Sequence, residues 1–116
     1  MKANASSTTL MARQHQPNVL PLKGEIDLHV SPAVTESLNA MTEKKPERIV
    51  IDLSRATYID SAGLAALILA MQKVEAYGGK FFLTGLDETM RSIFETSRLY
   101  QIFRIFPNVD AALAAS

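Results

Sequence analysis

The chain has 116 residues, of which 47% are hydrophobic, and this length gives room for one domain with one core. Twelve basic residues balance twelve acidic ones, so the formal net charge of zero excludes a general attraction to nucleic acid or to an anionic membrane surface. The absence of cysteine excludes disulfides, thiolate metal sites and thiol catalysis.

The N-terminal residues are small and polar and lack the apolar core of a signal peptide. No later stretch stays apolar long enough to span a bilayer, so the sequence predicts a cytoplasmic protein that does not enter the membrane. Residues 1–18 are predicted to be a flexible segment with a weak edge strand around Thr9 to Ala12. Residues 19–116 are predicted to form the folded domain.

The first predicted elements of that domain are a strand and a helix. An apolar strand that begins at Val19 leads into the acidic turn formed by residues 24–27, where Glu25 and Asp27 lie. Ser31 is predicted to be an N-cap, followed by proline at the first helical position. Apolar residues then recur at helical spacing, and this helix is predicted to end before residues 44–46.

The middle of the chain predicts a strand, a helix and a strand. Residues 49–53 form a continuous apolar run apart from Asp52, which is typical of a strand buried on both faces. From Leu64 the apolar residues follow a helical period until two glycines at 78–79 end the helix. Residues 80–84 return as a strand, and this order favours a parallel pair joined by a right-handed crossover.

The last part of the chain predicts a third helix capped by Asp87, a strand over residues 102–106, and an alanine-rich helix capped by Asn108. The fold class is therefore α/β. We expect a mostly parallel or mixed sheet of four to five strands with helices packed against it.

The most informative segment joins the central strand to the best-defined helix, at Asp60, Ser61, Ala62 and Gly63. Ser61 is predicted to be the N-cap of that helix, where an anionic substituent is tolerated by free backbone N–H groups and the helix dipole. The small residues that follow leave its hydroxyl open to a partner enzyme. A simple capping role for Ser61 is the alternative interpretation, and spacing alone favours it.

Four motifs together resemble the STAS domain of bacterial anti-sigma-factor antagonists. They are the acidic turn at 24–27, the apolar run at 49–53, the segment 60–64, and the glycine pair before the strand at 80, in this order. The resemblance covers the chain from about Val19 onward and implies the STAS fold.

The resemblance implies a function as well as a fold. In that family the serine after the aspartate, here Ser61, is phosphorylated by an anti-sigma factor that is a GHKL-type serine kinase. The unphosphorylated form binds the anti-sigma factor, the phosphorylated form releases it, and a PP2C-type phosphatase resets the switch. A second serine often follows in the family; here that position is Ala62, so Ser61 is the only acceptor in the motif.

The partner-binding surface implied by this resemblance consists of Glu25, Asp27, Asp60, Ser61, Ala62 and Gly63. A monomer without any cofactor is expected. The alternative is a STAS adaptor that is not phosphorylated, as a subunit of a lipid transporter or of a signalling scaffold, and that uses the same surface for docking alone.

Other sites are not supported by the sequence. His15 and His29 are too few to argue for a metal. Turn and cap chemistry explains Asp27 and Asp60 without an acid–base pair. The Gly-x-Ser-x-Gly pattern of a nucleophilic serine is absent, because Ile59 stands where the first glycine should be. We therefore predict a protein that is not an enzyme and has no catalytic residue.

Overall fold

The computed structural model describes residues 18–115, and the predicted weak strand around Thr9 to Ala12 lies outside them. Strands and helices alternate along these residues. The strands are β1 (Val19–Ile26), β2 (Arg48–Ile59), β3 (Lys80–Thr84) and β4 (Arg104–Phe106), and the helices are α1 (Ser31–Glu43), α2 (Ser61–Ala76), α3 (Glu88–Thr96) and α4 (Val109–Ala114). A single 3₁₀ turn, Leu99–Gln101, precedes β4.

The strands form a four-stranded sheet in the order β1-β2-β3-β4, with all three neighbouring pairs parallel. This confirms the predicted α/β class and the mostly parallel sheet. Each strand is joined to its neighbour through a helix, as parallel pairing requires. Pro21 lies within β1 at the edge of the described sheet, where its missing N–H costs no ladder bond.

The central strand β2 has a buried side chain on each face, as its apolar sequence predicts. Ile49, Ile51 and Leu53 belong to the main core, together with residues of α1, α2 and α3. Val50 points the other way and packs in a second cluster with Phe82 and with Ala112 of α4. The first three helices therefore cover one face of the sheet, and the short C-terminal helix covers part of the other.

Strand β2 continues well past its pairing with β3, accompanied only by β1. Its pairing with β3 ends where Asp52 faces Thr84, whereas its pairing with β1 continues to Ile59. Between the pairs Pro21–Asp52 and Ile26–Ile59 the register shifts twice, so β2 has two more residues than β1 over this stretch. The predicted end of this strand at residue 53 is therefore wrong. The extension carries the start of α2 away from β3.

Local capping chemistry was predicted correctly at α3 and α4 and wrongly at α1 and α2, of which α2 is described with the candidate site. Asp87 accepts a hydrogen bond from the Met90 N–H at 2.9 Å, and Asn108 caps α4 in the same way. At α1, however, Ser31 is already helical and is buried, and the residue before it, Val30, makes no side-chain cap. The last strand is also shorter than predicted and begins at Arg104.

No helix within residues 18–115 is long and apolar enough to cross a membrane.

Candidate functional site

The candidate site lies where the β2 extension ends and α2 begins. Asp60 is the N-cap of α2, with extended backbone angles (φ −102°, ψ −174°) and a side chain that accepts a hydrogen bond from the Gly63 N–H. Ser61 is the first helical residue and is exposed. The prediction that Ser61 itself caps the helix is therefore wrong. The Asp60 carboxylate caps the helix instead, so the Ser61 hydroxyl is not needed for capping.

Asp60 connects three segments of the chain. Its N–H donates to the carbonyl of Ile26 on β1 at 3.2 Å, and its carbonyl accepts the first helical bond from Leu64 at 2.9 Å. One carboxylate oxygen, Oδ1, accepts from the Gly63 N–H at 3.0 Å, and the other, Oδ2, accepts from the Leu28 N–H at 3.0 Å. The aspartate therefore fixes the start of α2 relative to β1 and to the loop that follows it.

Gly63 is buried, and the reason is close packing rather than an unusual backbone angle. A Cβ atom at this position would lie 2.5 Å from the carbonyl oxygen of Ile26 and 2.7 Å from Cγ1 of Ile59. Real Cβ atoms do not approach a backbone oxygen so closely, so any other residue would displace the helix from the strands. Because Gly63 has no side chain, the start of α2 can pack closely against β1 and β2.

The loop between β1 and α1 is shaped by Asp27. Its Oδ1 accepts hydrogen bonds from the N–H groups of His29 at 3.0 Å and Val30 at 3.3 Å, and its carbonyl accepts from Ser31 at 2.9 Å. Glu25 lies on β1 opposite Tyr58 of β2, with its side chain exposed. The structure thus brings the two predicted acidic segments together at one end of the molecule, beside Ser61.

The Ser61 hydroxyl makes no hydrogen bond within residues 18–115. It stands on the first turn of a 16-residue helix, where backbone N–H groups and the positive end of the helix dipole favour a negative charge. A phosphate attached here would therefore be compatible with the helix. The arrangement can present a hydroxyl to another protein and can accept a charged group without disturbing the core.

Ser61 lines neither of two shallow hollows on the described surface. The hollows, of about 250 and 360 Å³, lie elsewhere, one beside Asp52 and Asp110 and the other beside Arg98 and Tyr100. Within residues 18–115 no three histidine, aspartate or glutamate side chains are grouped so that they could hold a metal ion. The geometry around Ser61 is that of an open surface, which suits contact with a protein.

Sequence reasoning missed the three most exposed large apolar residues near this end: Leu28 in the loop, Tyr58 on β2 and Leu69 on α2. For Leu69 a signal was present, because it does not share the helical period of Leu67, Met71 and Val74, which are buried. For the other two the sequence offered none, since an apolar residue after a turn or at a strand end is usually assigned to the core.

Because the Asp60 side chain accepts two hydrogen bonds, its replacement should lower the stability of the domain more than the loss of an ordinary N-cap does. Asp87 caps α3 through one described hydrogen bond, whereas Asp60 makes the same cap and also binds the Leu28 N–H. Replacing a capping aspartate by alanine costs about 1 kcal/mol, and the second bond adds about 1 kcal/mol. We expect Asp60→Ala to lower the free energy of unfolding by about 2 kcal/mol, against about 1 kcal/mol for the matched control Asp87→Ala. Urea denaturation of both variants measures the difference, and equal losses would contradict the bond to Leu28.

Comparison with known proteins identifies close relatives of this arrangement. The family model of the STAS domain matches residues 9–112. The anti-sigma-F factor antagonist RsfB of Mycobacterium tuberculosis is 30% identical over 113 residues, which cover 97% of this chain and 92% of the relative. The anti-sigma-B factor antagonist of Listeria monocytogenes is 32% identical over 90 residues, which cover 78% of each protein. The crystal structure of an anti-sigma factor antagonist from Mycobacterium paratuberculosis superimposes with a TM-score of 0.74 at 29% identity, covering 82% of this chain and 80% of that one.

Proposed function

This chain belongs to the STAS domain family, among anti-sigma factor antagonists, and on that premise we propose that it acts as a phosphorylation-controlled binding switch. In the unphosphorylated state it binds an anti-sigma factor in the cytoplasm and so frees a sigma factor. Phosphorylation of Ser61 releases the anti-sigma factor. The chain itself is a binding protein in this scheme, and the chemistry is done by its partners.

The observation that carries the proposal is the state of Ser61. Its side chain is exposed, its hydroxyl has no partner among the described residues, and the capping task expected of a serine at a helix start is performed by Asp60. A serine whose only task was to cap the helix would have its hydroxyl bonded to the Gly63 or Leu64 N–H. The free hydroxyl favours the phosphoacceptor role over the capping role.

Local electrostatics supports release on phosphorylation. A phosphate adds about −1.5 to −2 charges at neutral pH. It would stand directly beside the Asp60 carboxylate, and the loop that contains Asp27 is tied to the same carboxylate. A partner surface that fits the neutral serine would then meet a bulky anion in an acidic surrounding. Loss of binding needs only this local clash, without any refolding of the domain.

The switch requires a kinase and a phosphatase, and the types proposed here are those that the family resemblance implies. A kinase must transfer phosphate from ATP to the Ser61 hydroxyl, and we propose the anti-sigma factor itself, of the GHKL type, for this role. A phosphatase, of the PP2C type, must return the serine to its free state. The proposed docking surface includes Glu25, Asp27, Asp60 and Ala62 around the acceptor, with Gly63 beneath them as the residue that lets the helix approach.

The test is to incubate the purified protein with labelled ATP and a cleared extract of its native host, and to map the phosphate by mass spectrometry. We expect one phosphate, on Ser61, which is absent from the Ser61→Ala variant. The same mapping on protein purified from the host during growth and under stress should show a change in occupancy. An unmodified Ser61 in all of these conditions would contradict the switch and leave an adaptor that docks without phosphorylation.

A further inference from the structure

The large exposed apolar side chains of residues 18–115 are concentrated around the candidate site. Within residues 18–115 there are five, with exposed fractions of 68% for Leu28, 56% for Leu69, 47% for Tyr58, 47% for Ile102 and 39% for Val30. All except Ile102 lie on the three segments that meet at Ser61, namely the loop after β1, the end of β2, and α2. Single exposed apolar residues need no explanation, but a concentration of them marks an interaction surface.

We propose that Leu28 and Leu69 are the apolar anchors by which the kinase that phosphorylates Ser61 recognises this chain. The inference rests on the proposed function and adds to it the residues that determine partner specificity. It concerns the two most exposed apolar side chains of the described residues.

Leu28 is held in a fixed position although its side chain is exposed. Its N–H donates to Asp60 Oδ2 at 3.0 Å, and its carbonyl accepts from the Ser31 hydroxyl at 3.5 Å. The loop is further closed by the hydrogen bonds of Asp27. A partner that covers Leu28 therefore does not have to order the loop, which lowers the entropic cost of binding. The bond to Asp60 also ties the position of Leu28 to that of the phosphoacceptor.

Leu69 lies on the same face of α2 as Ser61. The exposed residues Ser61, Ala65 and Leu69 follow one another at four-residue intervals. With a rise of 1.5 Å per residue, Leu69 is about 12 Å along the helix from the acceptor. Ala65 between them is small and leaves this face open. Burial in the domain does not explain Leu69, because the buried stripe of the helix runs through Leu67 and Met71.

An enzyme that acts on Ser61 would also cover Leu28 and Leu69, because a protein interface is wider than the distances that separate them from the acceptor. A specific complex buries roughly 800 Å² on each partner, which corresponds to a patch with a radius of about 16 Å. An enzyme that contacts the Ser61 hydroxyl through an interface of that size also covers Leu69, because Leu69 is only about 12 Å from Ser61 along the helix. It also covers the loop that is bonded to Asp60. Apolar anchors near the centre of such a patch provide a large part of the binding energy.

The test measures the initial rate of Ser61 phosphorylation by the native-host extract and labelled ATP, as a function of substrate-protein concentration. The variants are Leu28→Ser and Leu69→Ser, and Ile102→Ser is the matched control because it also replaces a large apolar side chain that is about half exposed, at 47%. Ile102 follows the 3₁₀ turn before β4, at the opposite end of the strands. We expect the apparent KM to rise about tenfold for each anchor variant, as for loss of a hot-spot side chain. The maximal rate should stay within about twofold, since the acceptor is unchanged.

Each result decides between the proposals. A KM equal to that of the unaltered protein for both leucine variants overturns the anchors and leaves Ser61 as acceptor. A similar rise in KM for Ile102→Ser also overturns them, because the effect would then not be specific to this surface. A dimer in sedimentation that Leu28→Ser or Leu69→Ser dissociates would overturn the kinase as occupant in favour of a second copy of this chain. Absence of label on the unaltered protein overturns the proposed function, and the anchors with it.

Discussion

Replacement of Ser61 by aspartate is expected to weaken the binding of the kinase at least tenfold, while replacement by alanine leaves the affinity within about threefold. The kinase is purified from the host extract by following its activity. The aspartate places a charge beside Asp60 on the surface that the partner covers, and desolvating that charge without a cation to pair it is costly. Leaving an uncompensated charge in a buried interface costs about 3–5 kcal/mol, so a factor of ten in affinity, about 1.4 kcal/mol, lies at the low end. Isothermal titration of the three proteins against the kinase measures the effect.

The thermal stability of the same variants separates a docking effect from a folding effect. Ser61 is on the first turn of α2, where the helix dipole favours a negative charge. We therefore expect Ser61→Asp to have an unfolding free energy equal to that of the unaltered protein or up to about 1 kcal/mol higher. Weaker binding together with unchanged stability supports the local clash. Equal binding by the aspartate, alanine and unaltered proteins would show that charge at Ser61 does not control the partner.

Gly63→Ala is expected to destabilise the domain, although glycine to alanine inside a helix ordinarily stabilises it by about 0.5–1 kcal/mol. The new methyl group would lie 2.5 Å from the Ile26 carbonyl oxygen, which belongs to the backbone of β1 and cannot rotate away. Forcing an extra carbon into a packed contact costs about 1–3 kcal/mol. We expect the free energy of unfolding, measured by urea denaturation, to fall by an amount in that range.

The control for this prediction is Ala65→Gly, on the exposed face of the same helix. It measures the helix propensity of glycine without a packing change and should cost about 0.5–1 kcal/mol. If packing governs position 63, both substitutions destabilise, although they exchange the same two residues in opposite directions. A gain in stability for Gly63→Ala would mean that α2 is not held against the Ile26 carbonyl in the way described.

Much of the architecture could be predicted because its signals act between residues close in sequence. The helical period after Leu64, the run at 49–53 and the caps Asp87 and Asn108 depend on neighbours within a few positions, and each was found in the structure. Two local predictions failed where two residues competed for one position. At α2 a carboxylate and a hydroxyl were adjacent, and Asp60 took the cap. At α1 Ser31 became helical, and Asp27 supplied the hydrogen bonds of the turn.

The length of β2 could not be predicted from its residues. After Leu53 the buried side chains are Ala56 and Ile59, three residues apart each time, which matches no strand period. The two register shifts against β1 produce that spacing. A bulge depends on the pairing of two strands, so it becomes visible only when both are present.

The α/β class and the order of the helices and strands could be predicted from the amino-acid sequence, and its motifs drew attention to Ser61. The surroundings of that serine depend on contacts between distant parts of the chain. The bond from Asp60 to Leu28 spans 32 positions of the chain, and the contact that requires glycine at position 63 is with Ile26, on another strand. Hydrophobic period and capping chemistry are local and can be read along the chain, whereas the packing of α2 against β1 joins residues that only folding brings together.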